Sequence, residues 1–147
     1  MKESLHHLLM VDHLLFQKAL FANLKDTDLT LGQPKILEYL LWHDGTVQKE
    51  IAEACCIEPA TMTSVLLGME KKGLILRKNR DGNRRSLYVY LTDKGKAVAQ
   101  QVSSRFDSME EKALCSFSVS EKEMLISFLT RINQNMKGKE GVQSEQK

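Results

Sequence analysis

The sequence predicts a mainly α-helical fold carrying one small β-hairpin, and three observations predict it. Apolar residues recur at helical spacing over most of the 147-residue chain, and only Pro34 and Pro59 interrupt it. One stretch, Leu74 to Leu91, switches towards a period of two around the turn-forming Arg80-Asp81-Gly82-Asn83. The positive charge gathers from Lys71 to Arg85: Lys71, Lys72, Arg77, Lys78, Arg80, Arg84 and Arg85 stand against Asp81 alone, a local +6 in a chain of net +2. The remainder therefore sums to −4, and a single basic face on a slightly acidic body is the electrostatic footprint of a polyanion binder.

The elements follow in order. Leu5, Leu8, Leu9, Val11, Leu15, Phe16, Ala19, Leu20 and Leu24 form an apolar face on a first helix broad enough for burial on two sides. Lys25-Asp26-Thr27-Asp28 breaks the pattern. Thr30 and Gln33 have capping-box spacing for a second helix, and Pro34 falls in its first turn, where a missing N–H costs little. Ile36, Leu37, Leu40 and Leu41 point inward until Asp44-Gly45 ends this helix after about His43. A short third helix runs from Gln48 to Cys55 with Ile51 and Ala52 buried, and Cys56-Ile57 makes the turn. The fourth helix opens at Glu58-Pro59, with proline at its first position, and closes at Gly73. Met62, Val65, Leu66 and Met69 face inward, leaving Ala60, Thr61, Thr63 and Ser64 as a small, polar outward face.

The hairpin pairs a strand from Leu74 with a return strand from Leu87 to Leu91, on which Leu87, Val89 and Leu91 share one face. Its tip is cationic and its base apolar, so the whole stretch from Thr46 to Thr92 reads as a helix-turn-helix followed by a wing. A fifth helix after Thr92 carries Val98, Val102, Phe106, Met109 and Ala113 in a near-heptad seam, which points to a long packing helix. Ser120 and Glu123 have capping-box spacing for a sixth helix with Met124, Leu125, Phe128, Leu129, Ile132 and Met136 on one side. From Gly138 the tail has nothing to bury and is expected to be disordered.

Composition narrows the class. A chain of this length is expected to form one domain with its own core. Nothing approaches the roughly 18 uninterrupted apolar residues of a membrane span, and His6, His7 and Asp12 interrupt the first apolar stretch, unlike a secretory signal. Three cysteines, two of them adjacent at Cys55 and Cys56, build no disulfide framework, so a reducing cytoplasm is the expected compartment. There is no Gly-rich phosphate loop, nucleophile elbow, triad or paired-carboxylate cleft, so no enzyme activity and no cofactor are expected. His6, Met10 and His13 share a helical face, but no convergent partner is identifiable, so no metal is expected.

Four runs, in order and at the right spacing, resemble the MarR family of winged helix-turn-helix regulators. They are Leu29-Thr30-Leu31-Gly32-Gln33, Gln48-Lys49-Glu50-Ile51-Ala52, Met69-Glu70-Lys71-Lys72-Gly73-Leu74-Ile75 and Leu91-Thr92-Asp93-Lys94-Gly95. The resemblance spans roughly Leu5 to Lys137. It implies one MarR-like domain over 1–147: a winged helix-turn-helix lobe at 30–92, dimerisation helices at 1–25 and 93–137, and a disordered tail at 138–147. It further implies a homodimer on a pseudo-palindromic double-stranded DNA operator, a repressor relieved by a small aromatic or apolar effector. Three departures from the family pattern stand out: Glu58 replaces the usual cap serine, Ser64 a frequent arginine, and Asn83-Arg84-Arg85 the wing-tip Asp-x-Arg.

The expected DNA-binding residues are Gln48, Lys49, Ala60, Thr61, Thr63, Ser64, Arg77, Arg84 and Arg85. Small hydroxyl residues suit close approach to a major-groove floor, and arginine at a hairpin tip suits a narrow minor groove. Met10, His13, Phe16, Phe21 and Trp42 are the expected effector-cleft lining, although aromatic and Met side chains at such spacing also serve as plain core. Two readings of the adjacent cysteines stand. Cys55 and Cys56 replace a core leucine and a turn glycine as simple substitutions, or Cys56, near a helix N-terminus, is a redox sensor. A reading from a different class makes the chain a winged-helix module that binds protein instead of a specific DNA sequence.

Overall fold

The computed structural model describes residues 3–80 and 82–138, except for the side chains of Asn83 and Arg84. The expectations for Asp81 in the hairpin turn, for the Arg84 side chain and for the tail beyond Gly138 lie outside the described residues. Helices α1 (Leu5–Asn23) and α2 (Gln33–Trp42) precede strand β1 (Thr46–Val47), followed by α3 (Gln48–Ala54) and α4 (Pro59–Lys71). The wing is β2 (Ile75–Arg80) and β3 (Asn83–Leu91), and α5 (Asp93–Ala113) and α6 (Val119–Lys137) complete the chain. The six helices and the small antiparallel sheet are the winged helix-turn-helix that the sequence predicts. Residues 1–109 and 110–147 form two compact units, described in turn.

The first unit holds the core. Ile36, Leu37 and Leu40 of α2, Ile51 of α3, Met62, Leu66 and Met69 of α4, and Ile75 and Val89 of the wing are almost wholly buried. Ala99, Val102 and Met109 of α5 join them, with Val98 and Phe106 packed against the cluster, so most of the heptad-like seam faces inward. Helix α1 contributes Leu20, and Leu24 follows just beyond it. Most of the other apolar residues of α1, including Leu5, Leu8, Leu9, Leu14 and Leu15, stay exposed, so the broad face is covered only at its C-terminal end.

The sheet has the order β1-β3-β2, and its strand β1 was not legible in the sequence. Two residues pair Thr46 with Val89 and Val47 with Tyr88, and no alternation can be read from so short a run. The return strand also begins earlier than Leu87, at Asn83. Its base is fastened by the Asp44 carboxylate, which accepts the Leu91 backbone N–H at 2.8 Å. Where the wing runs into α5, a Cβ on Gly95 would lie 1.9 Å from the Leu74 carbonyl oxygen. Only glycine permits that approach, and the Thr92 hydroxyl caps the turn by accepting the Gly95 N–H at 2.9 Å.

Two helix starts differ from expectation. The α2 cap is Gly32, and instead of a Thr30 hydroxyl box only the reverse half forms: the Gln33 amide oxygen accepts the Thr30 N–H at 3.0 Å. The same oxygen accepts from Lys72 Nζ at 3.0 Å, so Gln33, 3% exposed, ties the α2 start to the end of α4. In the second unit the capping box is Ser118 with Glu121, two residues before the Ser120–Glu123 pair. Both pairs have the right spacing, and sequence alone could not choose between them. Helix α6 buries none of its residues, and Met124, Phe128, Leu129 and Met136 are exposed while Leu125 and Ile132 are partly covered.

The turn between α3 and α4 sets the two helices at a 110° bend. The Ile57 N–H reaches back to the Ala52 carbonyl at 2.9 Å and the Cys56 N–H to that of Glu53 at 3.3 Å. These are the paired bonds of a Schellman motif, with Cys56 in the left-handed position at φ 52°. A non-glycine residue there carries a steric cost of about 1 kcal/mol or more. Cys56→Gly is therefore expected to raise stability by about 1 kcal/mol, seen as a rise in Tm of roughly 3 °C by calorimetry. An unchanged or lowered Tm would show that the Cys56 side chain contributes packing that offsets the strain.

Candidate nucleic-acid interface

Pro59 at the start of α4 and the buried Met62, Leu66 and Met69 roll the opposite side of the helix outward. On that side Ala60, Thr61, Thr63 and Ser64 are all exposed. The 100° step per residue separates them into three tracks. Ala60 and Ser64 form the outer crest, which runs on through exposed Leu67 and Lys71; Thr63 lies on the α3 flank and Thr61 on the opposite one. Leu67 and Lys71 are not among the expected DNA-binding residues, although their spacing from Ala60 and Ser64 puts them on the same crest.

Thr63 faces a groove of about 840 Å³ between α3, α4 and β3. Gln48, Lys49, Thr63 and Arg85 line it together with Glu53, Glu58 and Ser86. The Gln48 side-chain N–H donates to the Thr63 hydroxyl at 3.1 Å, and that hydroxyl donates to the Pro59 carbonyl at 3.4 Å. Gln48 is thus held against α4 with its amide oxygen left as an acceptor. Glu58 occupies the α4 cap position without a side-chain capping bond, so its carboxylate is not spent on the helix. The groove therefore carries cations, hydroxyls and an amide suited to base edges and phosphates, and two carboxylates that repel a phosphate and can accept only from a base donor such as the cytosine N4 amine.

Arg77 does not join this surface. Its guanidinium turns to Glu70 at 2.7 Å, with a second contact from Nε at 3.1 Å, and pins β2 to the end of α4. The same guanidinium holds the Glu70 carboxyl below the usual carboxylate range. Lys72 is also structural, donating to Gln33 and to the Asp28 carbonyl. The local +6 therefore overstates the charge offered to a partner. Of the remaining wing cations, Lys78 lies over the Tyr90 ring and Arg80 over that of Tyr88.

A second cavity, of about 440 Å³, lies between α1, the start of α2, the α3–α4 turn and α5. His13, Phe16 and Phe21 line it, as do Leu20, Val65 and Phe106. Met10 and Trp42 do not: they are 70% and 76% exposed, Met10 one turn before His13 along the same face of α1 and Trp42 at the opposite end of α2 from Pro34 and Lys35, which line the cavity. Thr61, expected at the DNA surface, lines this cavity instead of the groove. Cys56, Ile57 and Glu58 line both spaces and form the wall between them. Cys55 is buried next to that wall, and burial pushes its thiol up to about 11, the nearby Lys35 ammonium opposing the shift. Among the described residues no three His, Cys, Asp or Glu side chains converge as metal ligands, and no single helix is long and apolar enough to cross a membrane.

Among the described residues, six helices, a 110° helix-turn-helix bend and a three-stranded sheet that carries the wing define a winged helix-turn-helix protein of the transcription-regulator type. A family model described as the MarR family matches residues 29–87. The HTH-type transcriptional regulator YybA of Bacillus subtilis is 29% identical over 112 residues, which cover 76% of this chain and 75% of that protein. Transcriptional regulator HosA of Escherichia coli is 28% identical over 105 residues, 71% of this chain and 78% of that one. A crystal structure of MepR, a transcription regulator of the Staphylococcus aureus multidrug efflux pump MepA, is 30% identical, with 91% of this chain and 99% of that chain covered and a TM-score of 0.64. The MepR–DNA complex is 29% identical at a TM-score of 0.82, over 92% of this chain and 99% of that chain. The chain belongs to the MarR family of DNA-binding transcriptional regulators.

Two outcomes follow from this geometry. Arg77→Ala should lower stability by about 0.5–1 kcal/mol in a urea titration and leave the salt dependence of DNA binding unchanged. Arg85→Ala should weaken binding and reduce the slope of log K against log salt by about 0.9. If the two variants exchanged roles, the division of cations would be wrong. The Cys55 thiol binds its proton more tightly in the folded chain, so its contribution to stability is complete below pH 9.0 and is lost as pH rises towards about 11. Cys55→Ala should remove that part of the alkaline loss, measured as the difference in urea midpoint between the two proteins across this range.

Proposed function

We propose that this protein is a transcriptional repressor that binds a pseudo-palindromic operator as a homodimer and is released by a small aromatic or apolar effector. The observation that carries the reading is the convergence of Gln48, Lys49, Thr63 and Arg85 on one groove beside the exposed crest of α4. Ala60 and Ser64 allow close approach to a major-groove floor, and Leu67 adds an apolar contact suited to a thymine methyl group. Lys49 supplies a phosphate contact and Arg85 a wing contact, with Arg84 assigned to the wing on sequence grounds. The MepR–DNA complex supports this placement, since it has the same fold.

The exposed leucines of α1 and the separately exposed apolar residues of α6 support a homodimer, because faces so rich in Leu, Met and Phe are poorly suited to water. The three cysteines are free thiols, which supports a reducing cytoplasm. The cavity lined by His13, Phe16 and Phe21 is the proposed effector site. An occupant there would press on Cys56, Ile57 and Glu58, which also wall the groove, and so change how α4 is presented.

The test is fluorescence anisotropy on duplexes tiled across the region upstream of the protein's own gene, at low and physiological salt. One tile bound tightly above a weak, salt-sensitive background is the expected result. No binding to any duplex at low salt would refute the DNA reading and favour a winged-helix protein-interaction module.

A further inference from the structure

The outer face of the wing carries an arrangement that the groove does not use. Strands β2 and β3 pair Leu76 with Tyr90 and Lys78 with Tyr88, so Leu76 and Lys78 share one face with the two tyrosines; the register shifts between Lys78 and Arg80, and Arg80 joins that face through its contact with the Tyr88 ring. Lys78 Nζ lies 4.5 Å from the centre of the Tyr90 ring, and the Arg80 guanidinium carbon 5.3 Å from that of Tyr88. Both cations are displaced in the same sense, each over the ring one diagonal position nearer the base of the hairpin. Both are exposed, while the rings beneath them are half-buried.

The result is two cations, each seated over a half-buried ring. Long cationic side chains lose much rotamer freedom when they bind a phosphate, and a cation already resting on an aromatic face loses less. For Lys78 the ring leaves the charge intact and the N–H groups at the rim able to donate. Arg77, by contrast, is neutralised against Glu70 on the opposite face of β2.

We propose that Tyr88 and Tyr90 are positioning residues that preorder Arg80 and Lys78 as contacts for the DNA phosphate backbone flanking the wing. This rests on the DNA-binding reading above. The commitment is to phosphate, not base, because this face of β2 is opposite the one through which Arg77 reaches α4, and phosphates, unlike base edges, are met outside the grooves.

The test uses the full-length protein and a mixed-sequence DNA duplex, titrated by anisotropy across a range of salt concentrations. Lys78→Ala and Arg80→Ala should each weaken binding and each lower the salt slope by about 0.9. Tyr90→Leu and Tyr88→Leu should weaken binding about 2- to 5-fold with the slope kept, because the charge remains and only its ordering is lost. Tyr90→Phe and Tyr88→Phe, which retain the rings, should bind as the parent does. Adding Tyr90→Leu to Lys78→Ala should cause no further loss.

Leucine variants that fold, by circular dichroism, and bind with parent affinity would overturn the proposal, as would alanine variants with an unchanged slope. If a leucine variant does not fold, an unchanged salt slope in the alanine variants still overturns the proposal. A parent protein that shows no salt-dependent binding would bring down the DNA reading itself, whereas a parent that binds well beside unaffected variants would bring down this proposal alone.

Discussion

The four-residue connection from Cys55 to Glu58 is the constraint on which the rest of the structure depends. It ends α3, bends the chain by 110° and starts α4, and a change in its geometry would redirect the crest of α4. Three features hold it. The Schellman bonds close the end of α3, Ile57 packs against the core, and Pro59 starts the next helix with a preset φ. Cys56 tolerates the left-handed conformation that this geometry demands at some steric cost. Because the same residues separate the groove from the neighbouring cavity, the turn is both the mechanical joint of the helix-turn-helix and the partition between its two spaces.

The cations of the wing and its approach divide according to their neighbours. Lys72 satisfies a buried amide and a loop carbonyl, and Arg77 fastens β2 to α4 through Glu70. Both are committed to the fold before any partner arrives. Lys78 and Arg80 lie on tyrosine rings, and Arg85 stands at the groove. A run of positive charge in a sequence thus combines structural ties with surface offered to a partner, and only the tertiary neighbours separate the two. The distinction matters physically, since a cation already paired with a carboxylate releases few counterions when it meets a phosphate.

Much of the architecture was legible because periodicity and punctuation agreed. The inward positions of α2, α3 and α4, the proline at the start of α4 and Gly73 at its end, at φ 71°, all follow from spacing and φ restrictions visible in the chain. The parts that were not legible share a cause. Strand β1 is two residues long and exists only because β3 offers it an edge. The box at Ser118 competed with an equally spaced pair two residues later. Of the expected site residues, Gln48, Lys49, Thr63 and Arg85 come together, while Thr61 lies on the other flank of α4, Arg77 is tied to Glu70, and Met10 and Trp42 lie apart from the cavity. Helical phase could have separated Thr61 from Thr63. The Arg77–Glu70 pair and the cation–tyrosine stacking depend on contacts across elements that no local pattern encodes.

The central claim is that one face, formed by the start of α3, the outer crest of α4 and the wing, meets DNA. A two-dimensional amide NMR titration of the isotopically labelled protein with duplex DNA tests it residue by residue. The account predicts that the largest shift changes fall on Gln48, Lys49, Ala60, Thr63, Ser64 and the wing, with little change at the exposed leucines of α1. Changes centred on the α1 leucines, with α4 and the wing unmoved, would contradict it.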